Sequence, residues 1–412
     1  MQIIPGRIFA WLTGFSVVFA LYAHTIFNTP SKETTPVLAF VIAAGLVGLA
    51  VCGFASGRVQ VPLTLGRELS CLLIALALGC FVLSTVASFG SRPMGINDWG
   101  LFAVEAGVPV LIYLADERGH LLRAVALACI IFALADAGGN VSTFLGWADL
   151  VGHAGVIGVG YGLHYLGYTG NSDAGGLVAF LAISWLAMAT PRGWGARKWL
   201  SLAAMALIGF SLFLIGARRY QAFAAISVAI LWVAPLGRLP LAALGIAIAG
   251  AFLAATFAAP YGDFDNNLRA ELLQVGYAEA QTHPFVGIGP TYRDDTGLKA
   301  TYDSLQGAGM TESGALDLAI QYGMPAAIFF LLAPLLALSG YRQAPTWCAV
   351  VLMCLTAEFA FGGTLTGFLG AVVFFTVLIM CQVDEITPQI RVFARERLLD
   401  PRRPYRGLNF VW

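Results

Sequence analysis

Charge is scarce in this sequence. Only 11% of its 412 residues are Asp, Glu, Lys or Arg, against about 25% in a typical soluble domain. That scarcity excludes a soluble globular chain. Strict alternation of polar and apolar residues is also missing, which excludes an outer-membrane barrel. Net charge is zero, so whole-molecule attraction to nucleic acid is not a driving force, and no nucleic-acid partner is expected. There is no Walker loop, no Rossmann glycine pattern, no zinc motif and no aspartate-rich metal motif, which leaves no place for nucleotide coupling, a metal or another cofactor. His153 and His164 lack carboxylates at metal-ligand spacing. The seven cysteines (Cys52, Cys71, Cys80, Cys129, Cys348, Cys354 and Cys381) all fall within or at the end of apolar runs. They are small core residues, neither a disulfide framework nor a metal site. No repeat of fixed period and no low-complexity stretch is present.

What the sequence does have is apolar runs of up to twenty residues, and hydrophobic residues make up 58% of it. Runs able to cross about 30 Å of hydrocarbon predict an all-α, polytopic membrane protein of about twelve spans. They fall at 8–27, 37–54, 69–89, 99–115, 121–147, 174–189, 199–217, 220–236, 239–258, 312–338, 346–363 and 367–381. Arg7 before the first run resembles the start of a signal peptide. The run is longer than the apolar core of a signal peptide, and no small-x-small cleavage site follows, so it reads as a retained first span. With the N-terminus inside, sixteen of the 23 Lys and Arg residues fall on the inner side and seven on the outer side. By the positive-inside rule both termini are cytoplasmic. The resulting organisation is spans one to nine over 1–258, a large outer loop over 259–311, spans ten to twelve over 312–381, and a tail over 382–412. The tail holds six arginines, as a juxtamembrane anchor on anionic lipid would.

Two outer segments are long. Residues 148–173 are glycine-rich and contain no Lys or Arg; residues 259–311 look soluble. In the second, Asn266 or Asn267 can cap a helix starting near Leu268, with Leu268, Leu272 and Val275 on one face. That helix should end before Pro284, because the residue preceding a proline is pushed out of the α region. Residues 287–290 then form a turn, and a further helix starts at Thr311 with Glu312 in its first turn.

Arg218 and Arg219 lie on the outer side, between spans seven and eight, where a positive-inside bias least favours them. They are either interfacial anchors whose charges snorkel to water or a grip on an anionic partner. Guanidinium holds phosphate oxygens bidentately and never loses its charge, so a lipid diphosphate fits the second role. Arg269 is either a second cationic point or a helix-surface arginine near Glu271. Glu105, Asp136 and Glu358 fall inside spans, where acids are costly. They either line a polar outer cavity or pair with neighbouring helices, and Asp136 in a transporter would be a proton-relay candidate. Glu312 is either a general base for a sugar hydroxyl or a carboxylate at a helix N-terminus. His283 is the alternative base, or a structural cap before Pro284.

Several residues then form an ordered set. Asn171 stands in Gly170-Asn171-Ser172-Asp173-Ala174, followed by Arg218-Arg219-Tyr220, then Asn267-Leu268-Arg269. After these come His283-Pro284-Phe285-Val286-Gly287-Ile288-Gly289, Glu312-Ser313 and the stretch from Leu316 to Gly323. In this order, around one large outer loop, they resemble the O-antigen polymerase and O-antigen ligase superfamily of bacterial envelopes. The motif likeness covers roughly 165–325 and the topological likeness the whole chain. The resemblance implies a GT-C-like fold in the bacterial inner membrane and a metal-independent, inverting glycosyltransferase. Such an enzyme moves glycan from an undecaprenyl-diphosphate-linked donor to an acceptor hydroxyl on the periplasmic side, and a chain-length regulator is a candidate partner. It places the diphosphate on Arg218 or Arg219 and on Arg269; Asn171 joins Glu105 and Glu358, suspect as acids inside spans, as a cavity-lining candidate. Ligases of the family usually carry a histidine where this chain has Glu312. The expectation is therefore a capsule, exopolysaccharide or O-antigen polymerase, ahead of a ligase acting on lipid A-core. A secondary transporter is the alternative from another class.

Overall fold

The computed structural model describes residues 5–23, 31–56, 59–61, 64–89, 99–100, 102–147, 155–159, 162–167, 172–190, 195–233, 263–290, 313–339, 346–361 and 368–386. These residues are overwhelmingly helical, with two small two-stranded ribbons. In order they form α1 (Pro5–Phe19), α2 (Ser31–Ser56), β1 (Val59–Val61), α3 (Leu65–Ser88), and a π-helical stretch Ala103–Gly107 that runs into α4 (Val108–Leu114). Next come α5 (Arg118–Phe144), β2 (Gly155–Val159), β3 (Gly162–Gly167), α6 (Ser172–Ala189), α7 (Ala196–Ile215), α8 (Arg218–Val233) and α9 (Asp263–Thr282). The last are α10 (Gly314–Tyr322), α11 (Met324–Ser339), α12 (Thr346–Phe361), α13 (Phe368–Gln382) and β4 (Asp384–Ile386).

Among the described residues, four helices are long and apolar enough to cross a membrane: Val37–Ser56, Leu65–Ser88, Arg118–Phe144 and Ala196–Ile215. Five shorter apolar helices accompany them. Large apolar side chains such as Phe40, Phe54, Leu72 and Val86 lie on the outside of this assembly. Water would penalise such faces and lipid does not. Helices approach closely where glycines replace side chains: a Cβ on Gly14 would strike Ala124 of α5, and one on Gly48 would strike the Phe9 ring of α1. Polar pairs tie α5 to its neighbours. Tyr22, just past α1, donates to Asp136 at 2.8 Å, and Asn140 donates to Ser211 of α7 at 2.9 Å. Asp136 therefore takes the helix-pairing role, not that of a cavity-facing acid. Arg118 is buried and its Nη1 donates to the carbonyls of Ile112, Tyr113 and Ala115, capping the C-terminus of α4.

The ninth expected span, 239–258, lies outside the described residues, as does the tail beyond Ile386. The antiparallel β1–β4 ribbon pairs Val59–Val61 with Asp384–Ile386 and so holds both segments on one side.

Three expectations differ from the structure. The glycine-rich outer segment is a hairpin in part: β2 pairs with β3, and Tyr165 is buried with its ring 6.2 Å from that of Phe144. Strand pairing satisfies backbone groups that an apolar segment cannot leave bare near lipid. The loop helix begins at Asp263, before Asn266, and ends at Thr282 as expected. The tenth span is not one helix.

Gly323, with φ of 88°, breaks that span into α10 and α11, and the backbone of 284–289 closes the break. Ile288 and Gly289 donate their N–H groups to the carbonyls of Ile320 and Gln321 at 3.0 and 2.8 Å. Met324 N–H donates to the Pro284 carbonyl at 2.8 Å, and Ser84 of α3 donates to the Gln321 carbonyl at 2.7 Å. The helix ends at the break are thus satisfied by the loop, as apolar surroundings demand. Glycine is required on both sides. Gly287 also has positive φ, a Cβ there would run into the Gln321 carbonyl, and one on Gly323 would run into that of Phe285. Gly287→Ala and Gly323→Ala are therefore expected to cost at least about 1–2 kcal/mol each in positive-φ backbone strain alone. Gly138→Ala, in the interior of α5 where a Cβ would meet nothing within 4 Å, is expected to be neutral or slightly stabilising. Thermal-shift curves in detergent compare the three; equal midpoints would refute the interlock.

Candidate functional site

Arg218 and Arg219 are the first two residues of α8, and Gly216 and Ala217 form the connection from α7. Gly216 takes φ of 76° to end α7, and Arg218 N–H donates back to its carbonyl at 2.9 Å. Both guanidiniums therefore add to the positive end of the α8 dipole, a combination that favours anions. Arg218 is exposed and Arg219 half-buried.

Two carboxylates meet Arg219. Its Nη2 donates to Asp173 Oδ1 at 3.0 Å, and its Nη1 lies 3.2 Å from Glu358 Oε1. Glycine brings the first partner within reach: a Cβ on Gly176, one turn after Asp173, would sit 2.5 Å from the Tyr220 ring and 2.8 Å from Ala217. Only a glycine lets α6 pack that closely on α8. The second partner comes from α12, whose path is set by contacts further along. Trp347 donates to Ser184 of α6 at 3.1 Å, and Cys354 Sγ lies 3.8 Å from Ser227 Oγ of α8. Three helices thus bring one charged group each to one locus.

Ser313 extends this locus to α10. Its hydroxyl accepts from Leu316 N–H at 3.3 Å as the N-cap and donates to the Ala360 carbonyl of α12 at 2.7 Å. Gly314 lets α10 press against Phe359, since a Cβ there would lie 2.8 Å from that ring. The helix start expected at Thr311 is thus corrected: α10 begins at Gly314, with Ser313 as its N-cap. At the other end of α10, Tyr322 donates to Glu105 Oε2 at 2.5 Å and packs in a tilted arrangement against Phe81, with ring centroids 4.2 Å apart. Glu105 sits in the π-helical stretch, a local widening that often accompanies functional positions. α10 therefore links the Arg219 locus to a second polar cluster beside the helix break, and α9 packs along it.

The structure joins Arg219 to Glu358 and sets Glu105 apart on Tyr322. For both acids, partnering across helices is the observed arrangement. His283 is exposed, and its part in the fold is its carbonyl, which accepts from Gly287 N–H at 2.9 Å. Arg269 lies on α9, but its side chain is outside the described residues, as are Asn171 and Glu312 entirely. Asp173, Ser313 and Tyr322 are the site residues that no separate sequence signal singled out. Asp173 was visible only as a member of the stretch Gly170-Asn171-Ser172-Asp173-Ala174. Among the described residues no group of three or more His, Cys, Asp and Glu could hold a metal.

The chain matches no protein-family model and no curated protein.

Proposed function

We propose that this chain is a periplasmic-side polysaccharide polymerase of twelve spans and GT-C-like architecture. It takes glycan from an undecaprenyl-diphosphate-linked donor and transfers it to a hydroxyl of an acceptor repeat unit. The observation that carries this is the paired arginine start of α8, with Arg219 oriented by carboxylates from two other helices. β1–β4 lies toward the opposite end of the helices: α13 packs Phe374 against Phe359, next to Glu358, and runs away from it to Gln382 and β4. The positive-inside rule puts the ribbon in the cytoplasm and hence the arginines outside. No nucleotide sugar is available there, so the donor must arrive activated, and a lipid diphosphate is so activated.

In the reaction, the acceptor hydroxyl attacks the anomeric carbon of the donor sugar while the bond from that carbon to the phosphate oxygen breaks. Negative charge builds on the departing diphosphate, and fixed guanidiniums stabilise it without reorganising. Glu312 takes the hydroxyl proton. The test is a reconstituted assay with a lipid-linked repeat unit. Wild type is expected to give a ladder of lengthened products, and Arg218→Ala and Arg269→Ala a large loss with the protein still inserted. Lysine should rescue poorly, because a point charge cannot reproduce the fork. Orientation is checked separately: a cysteine at Ser304 should react with an impermeant thiol reagent in cells whose outer membrane alone is opened. Labelling only after inner-membrane lysis would reverse the topology.

One observation favours transport as a second reading. A broken helix beside buried polar groups is how many secondary transporters build their site. Proteoliposomes that move the donor across the bilayer without lengthening any glycan would select it.

A further inference from the structure

We propose that Asp173 is a built-in competitor for the anion that Arg219 binds: on binding, a diphosphate oxygen takes the place of the Asp173 carboxylate while Glu358 keeps its hold. This rests on the diphosphate reading of Arg219. The two carboxylates are not equivalent. They occupy different nitrogens of one guanidinium, at 3.0 and 3.2 Å, but the Asp173 side chain is 43% exposed and that of Glu358 is 1% exposed.

Separating Glu358 from Arg219 would strand a charge in a buried place, which is costly. Separating Asp173 costs little, because water solvates the released carboxylate and exposed ion pairs are weak. Asp173 also lies in the first turn of α6, so the positive end of that helix still steadies its charge after release. The Arg219 nitrogen that Asp173 would vacate is the one held by the more exposed of the two carboxylates, and Arg218, the preceding residue, is exposed. One carboxylate therefore fixes the guanidinium, and the other reserves its second edge against weak anions until a diphosphate outcompetes it.

The test is calorimetric titration of the full-length protein in detergent with farnesyl diphosphate in one arm and inorganic pyrophosphate in the other. Asp173→Asn is expected to bind farnesyl diphosphate about fivefold more tightly than wild type, the factor to which the upper worth of an exposed ion pair converts. Arg219→Ala is expected to lose binding, and so is the double variant Arg219→Met with Glu358→Leu, which leaves no buried carboxylate unpaired and so separates loss of binding from loss of fold. A gain in both arms assigns recognition to the diphosphate alone; a gain only with farnesyl diphosphate assigns it to the lipid-linked form. Asp173→Ser should show the same direction, so that no single variant carries the result. The sign is diagnostic, since a carboxylate that merely orients Arg219 would weaken binding when removed. If both Asp173 variants bind no tighter than wild type while Arg219→Ala still loses binding, the competitor role fails and the diphosphate reading stands. If Arg219→Ala binds as wild type does, both fail.

Discussion

Replacing Arg219 by alanine is expected to abolish polymer formation and to destabilise the protein at once. The destabilisation follows from Glu358, whose side chain is 1% exposed and pairs with the Arg219 guanidinium at 3.2 Å. Removing one partner of a buried ion pair typically costs about 3–5 kcal/mol. The low end applies here because the Arg219 side chain is 31% exposed. Loss of activity alone would then be ambiguous. The double replacement Arg219→Met with Glu358→Leu separates the two effects, since exchanging a buried pair for apolar side chains of similar volume is often neutral or stabilising. Its melting temperature is expected to return close to wild type while the product ladder stays absent. A double variant that polymerises at the wild-type rate would make Arg219 a structural residue and remove the diphosphate assignment.

The largest effect on rate is expected at Glu312. Glu312→Gln keeps size and hydrogen bonding but cannot accept a proton. A positioned base contributes roughly 10²–10⁴-fold, so turnover should fall by that order with donor binding nearly intact. In wild type the rate should decline at low pH as the carboxylate protonates, and that limb should vanish in the variant. His283→Ala is the internal comparison. Its side chain is exposed, and the carbonyl that accepts from Gly287 survives the change, so turnover should move little. Normal turnover in Glu312→Gln with an inactive His283→Ala would exchange the two roles.

Much of the helical framework was legible because apolar run length reports the solvent directly: a helix facing lipid must be apolar along its whole length. The end of α9 before Pro284 was equally local, a steric rule between neighbours. The break at Gly323 was not legible, although Gly323 and Pro325 are both breakers. Whether a long apolar run stops there depends on a partner for the freed backbone groups, and that partner is the main chain of 284–289. The hairpin over 155–167 was hidden because its strands are short and diluted with glycine.

The sequence by itself determined that the chain is helical with apolar runs long enough to cross a membrane, how unevenly Lys and Arg are spread over the segments between them, and that Arg218, Arg219, Glu105 and Glu358 are charges in unlikely places. Run length, Lys and Arg bias and the cost of intramembrane acids are properties of single segments, so one segment suffices to read them. Only the tertiary structure decided which charges meet. Asp173, Arg219 and Glu358 lie on three different helices and come together because Gly176 allows close packing of α6 on α8, and because Trp347 and Cys354 anchor α12 beside both. Such a cluster is a property of packing between segments, where the loss of a single Cβ sets how closely two helices pack.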